Sequence, residues 1–304
     1  MAEIARTWRT ARPLDLRATL APTIHGDRDP TTRWSGGSWW RASRTPEGPV
    51  TLRISTPRAD SVAVRAWGPG AAWAVEQAPA LLGEDADQDD LARGRGTVAE
   101  LRRARPGLRM CRTQAIVETM VPFILEQKVT SVEAKRGWQR LVSAWGEAAP
   151  GPGASAGVVL PPPPPRLATE PYWRFHSLGI EKKRADIVRT ACRVGSRLEE
   201  ILAMAPRDAE RRMQAVPGIG PWTAGLVSQV ALGNPDVVVV GDYHFPHIVS
   251  YTLTGERRGS DDRMLELLEP YRPWRGLAQR LIIGGGRRPE RRAPRAQLRD
   301  LRAI

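Results

Sequence analysis

Apolar and polar residues alternate along the first part of the chain, a spacing typical of β-strands. The alternation is clearest over residues 14–20, where every second residue is apolar and predicts a half-buried strand. Three more strand candidates, residues 38–43, 50–55 and 61–67, are separated by short turns that contain proline. This spacing predicts an antiparallel meander, followed by a helix over residues 71–82.

From Thr97 the apolar spacing becomes helical. Residues 113–127 place four large apolar side chains on one stripe. Thr130 and Glu133 have the spacing of a capping box and predict a helix over residues 131–145, with Val132 among its inward residues. Further helices are predicted over residues 181–194, 198–204, 208–215, 244–253 and 262–268, and a last one from about 271.

These patterns predict an α+β protein. A loose polar N-terminus (1–11) precedes a small antiparallel sheet domain (12–95) and an all-α body (96–284). Inside the body, residues 147–166 include five consecutive prolines and predict an extended polyproline connector. The Arg-rich tail, residues 285–304, either adds nonspecific affinity for phosphate or only solubilises the chain.

The net charge of the chain indicates what kind of molecule it binds. The 304 residues include 46 Lys and Arg against 33 Asp and Glu, for a net charge of +13, and nucleic acid is the leading explanation of such an excess. The two cysteines, Cys111 and Cys192, are too few and too far apart for a metal knuckle or a disulfide scaffold. Because no signal-peptide core or membrane-length apolar run is present, we expect a cytoplasmic protein without membrane contact.

Two glycines follow a proline in the stretch Val216-Pro217-Gly218-Ile219-Gly220-Pro221-Trp222-Thr223-Ala224. Glycines at this spacing allow a tight turn between two helices, and proline suits the first position of the second helix. The free N–H groups at that helix start can bind one phosphate oxygen. The alternative is an ordinary corner between two core helices.

Four valines, residues 237–240, precede Gly241-Asp242-Tyr243-His244. They predict a buried extended segment that delivers one carboxylate, that of Asp242, to the edge of the core. The alternative role for Asp242 is a helix N-cap. Asp236, ahead of the valines, is predicted to be a turn or cap residue.

Together the hairpin and the aspartate about 20 residues beyond it resemble the helix-hairpin-helix DNA glycosylases. Leu178-Gly179 with Arg184-Ala185, and Pro273-Trp274-Arg275, further resemble the bacterial alkylbase branch of that superfamily. The resemblance covers residues 100–284 well and the first 95 poorly. It implies a monomeric, nucleoid-associated enzyme of base excision repair that flips damaged, mainly alkylated bases out of double-stranded DNA and excises them.

The resemblance also implies roles for single residues. Asp242 would stabilise the sugar cation. Trp222 stands where bifunctional relatives carry a lysine nucleophile, and tryptophan cannot form an imine, so a monofunctional enzyme is expected. The implied base pocket consists of Trp222, Tyr243, Leu226, Ile283 and Phe123. Leu226 and Ile283 replace aromatic residues of the better-known bacterial enzyme, which leaves the preferred lesion open.

The implied contacts to DNA lie in the hairpin and in the junction between the first two body helices: Pro217, Gly218, Ile219, Gly220, Thr223, Gln127 and Lys128. Lys128 resembles the position that wedges into the duplex, where an apolar residue is commoner; a phosphate contact or no contact is the alternative. No iron–sulfur cluster is expected, because the C-terminal cysteines that bind it are missing. Family hairpins often hold a monovalent cation, here through the backbone carbonyls of Gln214, Val216 and Ile219.

Two other functions remain open on sequence grounds. A helix-hairpin-helix protein that binds DNA without catalysis would have no need of Asp242, since a carboxylate repels phosphates. A glycosylase for oxidised purines is disfavoured by Trp222.

Overall fold

In a computed structural model of the protein, which describes residues 3–86 and 89–290, the chain begins with a five-stranded antiparallel sheet of order β1-β5-β4-β3-β2. Helices follow, which confirms the predicted α+β class. The strands are β1 (Glu3–Arg9), β2 (Thr32–Ser35), β3 (Ser38–Thr45), β4 (Gly48–Arg58) and β5 (Ser61–Trp67). The predicted meander is β3–β5, and β2 extends it by pairing with β3.

Two sequence predictions near the N-terminus are wrong. The segment predicted to be loose contains β1, which pairs with β5 from Glu3 opposite Trp67 to Arg9 opposite Ser61. As an edge strand it is mostly exposed, so no apolar alternation marks it. The predicted strand over residues 14–20 is instead helix α1 (Leu16–Leu20), because Asp15 accepts a hydrogen bond from the Ala18 amide and caps a turn.

The helical body contains the predicted helices with ends shifted by a few residues, except that residues 198–204, predicted as one helix, divide between the end of the helix Gly195–Glu199 and the 3₁₀ turn Glu200–Ala203. Its capping box is confirmed at Thr130 and Glu133, but Val132 is 45% exposed, not inward, because it lies in the first turn. No helix of the described residues is long and apolar enough to span a bilayer. The helices are α2 (Ala71–Leu81), α3 (Thr97–Ala104), α4 (Ile116–Glu126), α5 (Ser131–Trp145), α6 (Gly153–Ala156), α7 (Pro164–Thr169), α8 (Tyr172–Ser177), α9 (Lys182–Arg193), α10 (Gly195–Glu199), α11 (Pro206–Gln214), α12 (Pro221–Ala231), α13 (Phe245–Thr254), α14 (Asp261–Leu268) and α15 (Arg275–Gly285), with 3₁₀ turns at Ala21–Thr23, Leu91–Arg93, Glu200–Ala203 and Glu269–Tyr271.

The proline-rich segment is folded against the body, not an extended spacer. Strands β6 (Glu147–Ala148) and β7 (Val159–Leu160) pair, and α7 begins at Pro164. Leu160 packs with residues of the sheet in a small apolar cluster. Proline suits the first turn of a helix, so only the first prolines of the run remain extended. Of the predicted tail, residues 291–304 lie outside the described residues.

The apolar core runs from the sheet into the helical body without interruption. One buried cluster contains Trp39 of the sheet, Met120 of α4, Val188 of α9 and Val227 of α12. A second cluster joins α13, α14 and α15 to α3. The predicted domain boundary near residue 95 stays a prediction.

A nearly buried ion pair links the sheet to the body. Arg41 of β3 donates to Glu118 of α4 at 2.8 Å, and the two side chains are 10% and 12% exposed. The same carboxylate accepts from the Ser43 hydroxyl at 2.7 Å and the Arg44 amide at 2.9 Å. All its bonds reach β3, so Glu118 fixes the sheet on α4.

Replacing Glu118 by glutamine should lower the free energy of unfolding by about 3 kcal/mol, because it leaves the Arg41 guanidinium buried without its counter-charge. Urea denaturation measures the change. The control is Asp208→Asn, which removes an exposed pair with Arg211 and should have little effect. Equal effects of the two substitutions would contradict a special role for Glu118.

Candidate functional site

The turn between α11 and α12 is a tight hairpin. The Ile219 amide donates to the Val216 carbonyl at 3.0 Å. Gly218 has φ +89°, and a Cβ there would lie 2.5 Å from Cδ1 of Ile187. Glycine is therefore required at position 218 by both backbone conformation and space.

Gly220 is a glycine of a different kind. It precedes Pro221 at the start of α12, has ordinary extended dihedrals (φ −97°, ψ −178°), and no side chain caps the helix. A Cβ on Gly220 would meet nothing within 4 Å. The fold does not require glycine here, and the uncapped helix start suits an anion.

Asp242 contacts both the start of α13 and the hairpin, and its predicted catalytic role stays a prediction. Its Oδ1 accepts hydrogen bonds from the amides of His244 at 2.7 Å and Phe245 at 3.0 Å, where α13 begins. Its Oδ2 accepts from Nε1 of Trp222 at 3.1 Å. The carboxylate is half-buried. One oxygen thus fixes the loop, and the other lies beside the first turn of the hairpin's second helix.

The valine segment before Asp242 is fixed by two glutamines. Gln279 of α15 accepts from the Val239 amide and donates to the Val239 carbonyl, both at 2.9 Å. Gln229 of α12 donates to the Val237 carbonyl at 2.7 Å. Val239 is fully buried and the other three valines are half-buried, so the predicted burial holds only there. The sequence analysis did not identify these glutamines, because their partners are backbone atoms of a distant loop.

Three of the predicted pocket residues lie together. The rings of Phe123 and Trp222 meet edge to face, with centroids 6.4 Å apart. Leu226, one turn after Trp222, packs against the same core cluster. Ile283 does not join them, since it packs against the second cluster. Tyr243 is 76% exposed, with its ring against those of His244 and His247.

The junction between α4 and α5 braces the hairpin. Nε2 of Gln127 donates to the Gly218 carbonyl at 3.2 Å and to Oγ1 of Thr223 at 2.9 Å. Both predicted contact side chains are therefore engaged within the protein, and Thr223 is buried. Lys128 is exposed and has φ +54°, a left-handed conformation that a non-glycine residue rarely adopts.

His25 and Glu126 lie beside this group and were not identified from the sequence. The His25 ring meets that of Phe123 edge to face at 5.5 Å between centroids. Its Nδ1 is 3.5 Å from Oε1 of Glu126. Glu126 follows Phe123 by three residues on α4, a helical spacing that could have indicated it, whereas His25 comes from the distant loop before β2.

Asp236 is not part of this group. Its carboxylate accepts hydrogen bonds from the Arg275 guanidinium at 2.7 and 2.9 Å and from the Arg272 guanidinium at 3.3 Å. It also accepts a hydrogen bond from the Arg275 backbone amide, where α15 begins. Burial opposes its ionisation, but the hydrogen bonds and charge of Arg275 outweigh burial and lower the pKa of Asp236. The predicted cap role holds, with an ion pair added.

The described residues contain no group of three or more His, Cys, Asp or Glu side chains that could hold a metal ion. Cys111 and Cys192 are both buried free thiols. Burial raises the pKa of Cys192 to about 12, which makes its thiolate inaccessible at neutral pH.

Several known proteins are similar in sequence to this chain. No protein-family model matches the chain. It is 24% identical over 176 residues to a DNA-3-methyladenine glycosylase of Bacillus subtilis, covering 57% of each chain. It is 29% identical over 188 residues to DNA-3-methyladenine glycosylase 2 of Escherichia coli, covering 60% of this chain and 62% of the relative. The chain thus matches about three fifths of the length of these curated relatives.

Among solved structures, the 3-methyladenine DNA-glycosylase from Archaeoglobus fulgidus superposes with a TM-score of 0.75 at 18% identity. The superposition covers 93% of this chain and 98% of that one. At this identity the match shows a shared fold, and it includes the N-terminal sheet as well as the helical body.

The ion pair of Asp236 predicts a pH dependence. A carboxylate whose pKa is lowered in the folded state stabilises the fold above its unfolded pKa of about 3.9, and this contribution is lost as pH falls through the folded pKa. Asp236→Asn should therefore unfold at lower denaturant concentration than the unchanged protein at pH 7. The difference between the denaturant concentrations at which the two proteins unfold should become smaller in acid. A difference that stays constant from neutral to acid pH would contradict the role of the charge.

Proposed function

We propose that this chain, which belongs to the helix-hairpin-helix superfamily of DNA glycosylases and to its bacterial alkylbase branch, is a monofunctional glycosylase of base excision repair. It would flip damaged, chiefly alkylated, bases out of double-stranded DNA and leave an abasic site. The observation that carries the proposal is the bond between Trp222 at the hairpin and Asp242 after the valine segment.

The chemistry needs a carboxylate close to the sugar. Breaking an N-glycosidic bond builds positive charge on the sugar as the base departs, as in glycoside hydrolysis. A carboxylate fixed in a partly desolvated position stabilises that charge and can orient or deprotonate the attacking water. Asp242 is half-buried and held by Trp222 and by the amides of His244 and Phe245, so its orientation does not depend on the substrate.

Trp222 supports the monofunctional reaction. An imine to the sugar requires an amine, and the residue next to the Asp242 carboxylate is instead an indole whose N–H binds that carboxylate. This also disfavours an enzyme for oxidised purines of the bifunctional kind. The base would lie against Trp222, Phe123 and Leu226, and the exposed Tyr243 would contact the bound strand.

The hairpin would hold the DNA backbone without reading a base. The uncapped start of α12 offers amides to one phosphate, and the net charge of +13 attracts the duplex. Lys128 follows Gln127, is exposed and has a left-handed backbone conformation. It would contact the duplex next to the flipped base. The enzyme would act as a monomer, inside the cytoplasm.

A monovalent cation would fit the outer side of the hairpin turn. The Val216 carbonyl accepts one hydrogen bond, from the Ile219 amide, and a carbonyl oxygen has two lone pairs. Together with the carbonyls of Gln214 and Ile219 it would bind the ion and stiffen the turn against phosphate. No iron–sulfur cluster takes part in the proposed reaction.

A DNA-binding protein without catalysis is the competing function. It would gain nothing from a half-buried carboxylate fixed beside the hairpin, because that charge repels phosphates. Duplexes that each carry one alkylated, deaminated or oxidised base separate these functions, since only a glycosylase releases a free base.

Gly220 allows a test of DNA binding that leaves the fold intact. Gly220→Leu places a side chain in open space in front of the helix start, so the protein should fold normally. Affinity for duplex DNA should fall by about tenfold for damaged and undamaged sequences alike, since a phosphate contact reads no base. Titration with a labelled duplex measures it. Unchanged affinity would make the hairpin a structural corner only.

Asp242→Asn tests catalysis. It keeps the shape and hydrogen-bonding oxygen of the side chain but removes the charge that stabilises the sugar cation, so excision of alkylated bases should fall by about 100-fold or more. Single-turnover release of the base measures it, and DNA affinity should be kept or increase. Trp222→Lys is the companion variant, in which trapping of an imine by borohydride would show that position 222 faces the sugar. Normal excision by Asp242→Asn would overturn the mechanism.

A further inference from the structure

Three side chains at the end of α4 concern the site. Phe123 and Glu126 are three residues apart on the helix, the spacing at which helical side chains are neighbours, and Gln127 follows as the C-cap with an extended backbone. Phe123 contacts the ring of Trp222, and Gln127 donates to Thr223. Glu126 lies between them in the chain, and its carboxylate is 3.5 Å from Nδ1 of His25, whose ring meets that of Phe123.

The sheet region supplies the partner of Glu126 in a fixed position. The His25 amide donates to Asp29 at 2.7 Å, and the Trp138 indole donates to the same carboxylate at 3.0 Å. Gly26 next to it has φ +105° and closely approaches the side chain of Lys135. The loop is thus anchored to α5, and the His25 ring is held against Phe123 and Glu126.

Glu126 differs from Glu118 and Asp236, two acids of similar or lower exposure near the site. Glu118 and Asp236 are each paired with arginine. The Glu126 side chain is 32% exposed, and within residues 3–86 and 89–290 its ion-pair contact is the His25 ring, not a lysine or arginine. Its negative charge is therefore available next to the His25 ring that contacts Phe123. Nothing in the proposed role of Asp242 uses it.

We propose that Glu126 is a specificity-determining residue of the excision reaction, and that its carboxylate favours a cationic base against Phe123 and Trp222 over a neutral one. This inference rests on the proposed function. Alkylation of a ring nitrogen gives a purine a formal positive charge, whereas deaminated bases stay neutral. A carboxylate of limited exposure attracts a cation much more strongly than a neutral ring of the same shape.

Two carboxylates on different elements then serve the two halves of the nucleotide. Asp242 is bound by Trp222 and the start of α13 and would act on the sugar. Glu126 contacts His25, whose ring meets Phe123 of the same aromatic pair, and would act on the base. The selection of cationic bases thus needs fewer aromatic residues, consistent with Leu226 standing where an aromatic residue was expected.

The test compares excision of 7-methylguanine, which is cationic, with excision of hypoxanthine, which is neutral, from otherwise identical duplexes. In Glu126→Gln the ratio of the two kcat/KM values should fall by about tenfold, through loss of the cationic substrate. Glu126→Asp keeps the charge and should keep most of the ratio. Glu76→Gln removes an exposed charge on α2 of the sheet region and should leave the ratio unchanged.

Each outcome separates the inference from the function on which it rests. A glycosylase whose ratio is unchanged in Glu126→Gln, or which loses both activities equally, overturns the role of Glu126 and leaves the proposed function intact. Release of no base from any duplex by the unchanged protein overturns both. Thermal unfolding of Glu126→Gln at the normal temperature shows that a changed ratio is not a folding defect.

Discussion

The hydrogen bonds of Asp242 are the constraint on which the site depends. A carboxylate beside phosphates is unfavourable, and it is kept here because one oxygen closes the start of α13 while the other binds the Trp222 indole. This pair joins the hairpin to the loop that follows the valine segment. The position of the valine segment is fixed in turn by Gln229 and Gln279. Their side chains hydrogen-bond backbone groups that would otherwise be buried without partners.

Much of this arrangement was predictable where local chemistry decides. The turn at Gly218, the proline start of α12 and the capping box at Thr130 depend on a few neighbouring residues, and each forms as predicted. The contact of Asp242 with the amides of the next residues is local as well, and its catalytic role stays a prediction. Such features require no knowledge of the rest of the fold.

The failures arise where distant partners decide. Strand β1 forms because its backbone pairs with that of β5, while its own side chains are mostly exposed. Residues 14–20 alternate, yet the Asp15 cap and a helical spacing of Leu16 and Leu20 prevail. His25 reaches Phe123 from about 100 residues away, and Ile283 packs on another cluster. The Asp15 cap is local and outweighs the alternation, whereas no pattern within a short window contains the contacts of β1, His25 and Ile283.

The hydrogen bonds between Val239 and Gln279 affect how the site responds to heating. Gln279 lies on α15, whose apolar face belongs to the second core cluster, separate from the cluster around the hairpin. Regions of a protein open with different free energies. If the C-terminal cluster loosens first on warming, Asp242 loses its position while the hairpin and sheet remain folded, and the proposed excision would be lost before the proposed binding of DNA.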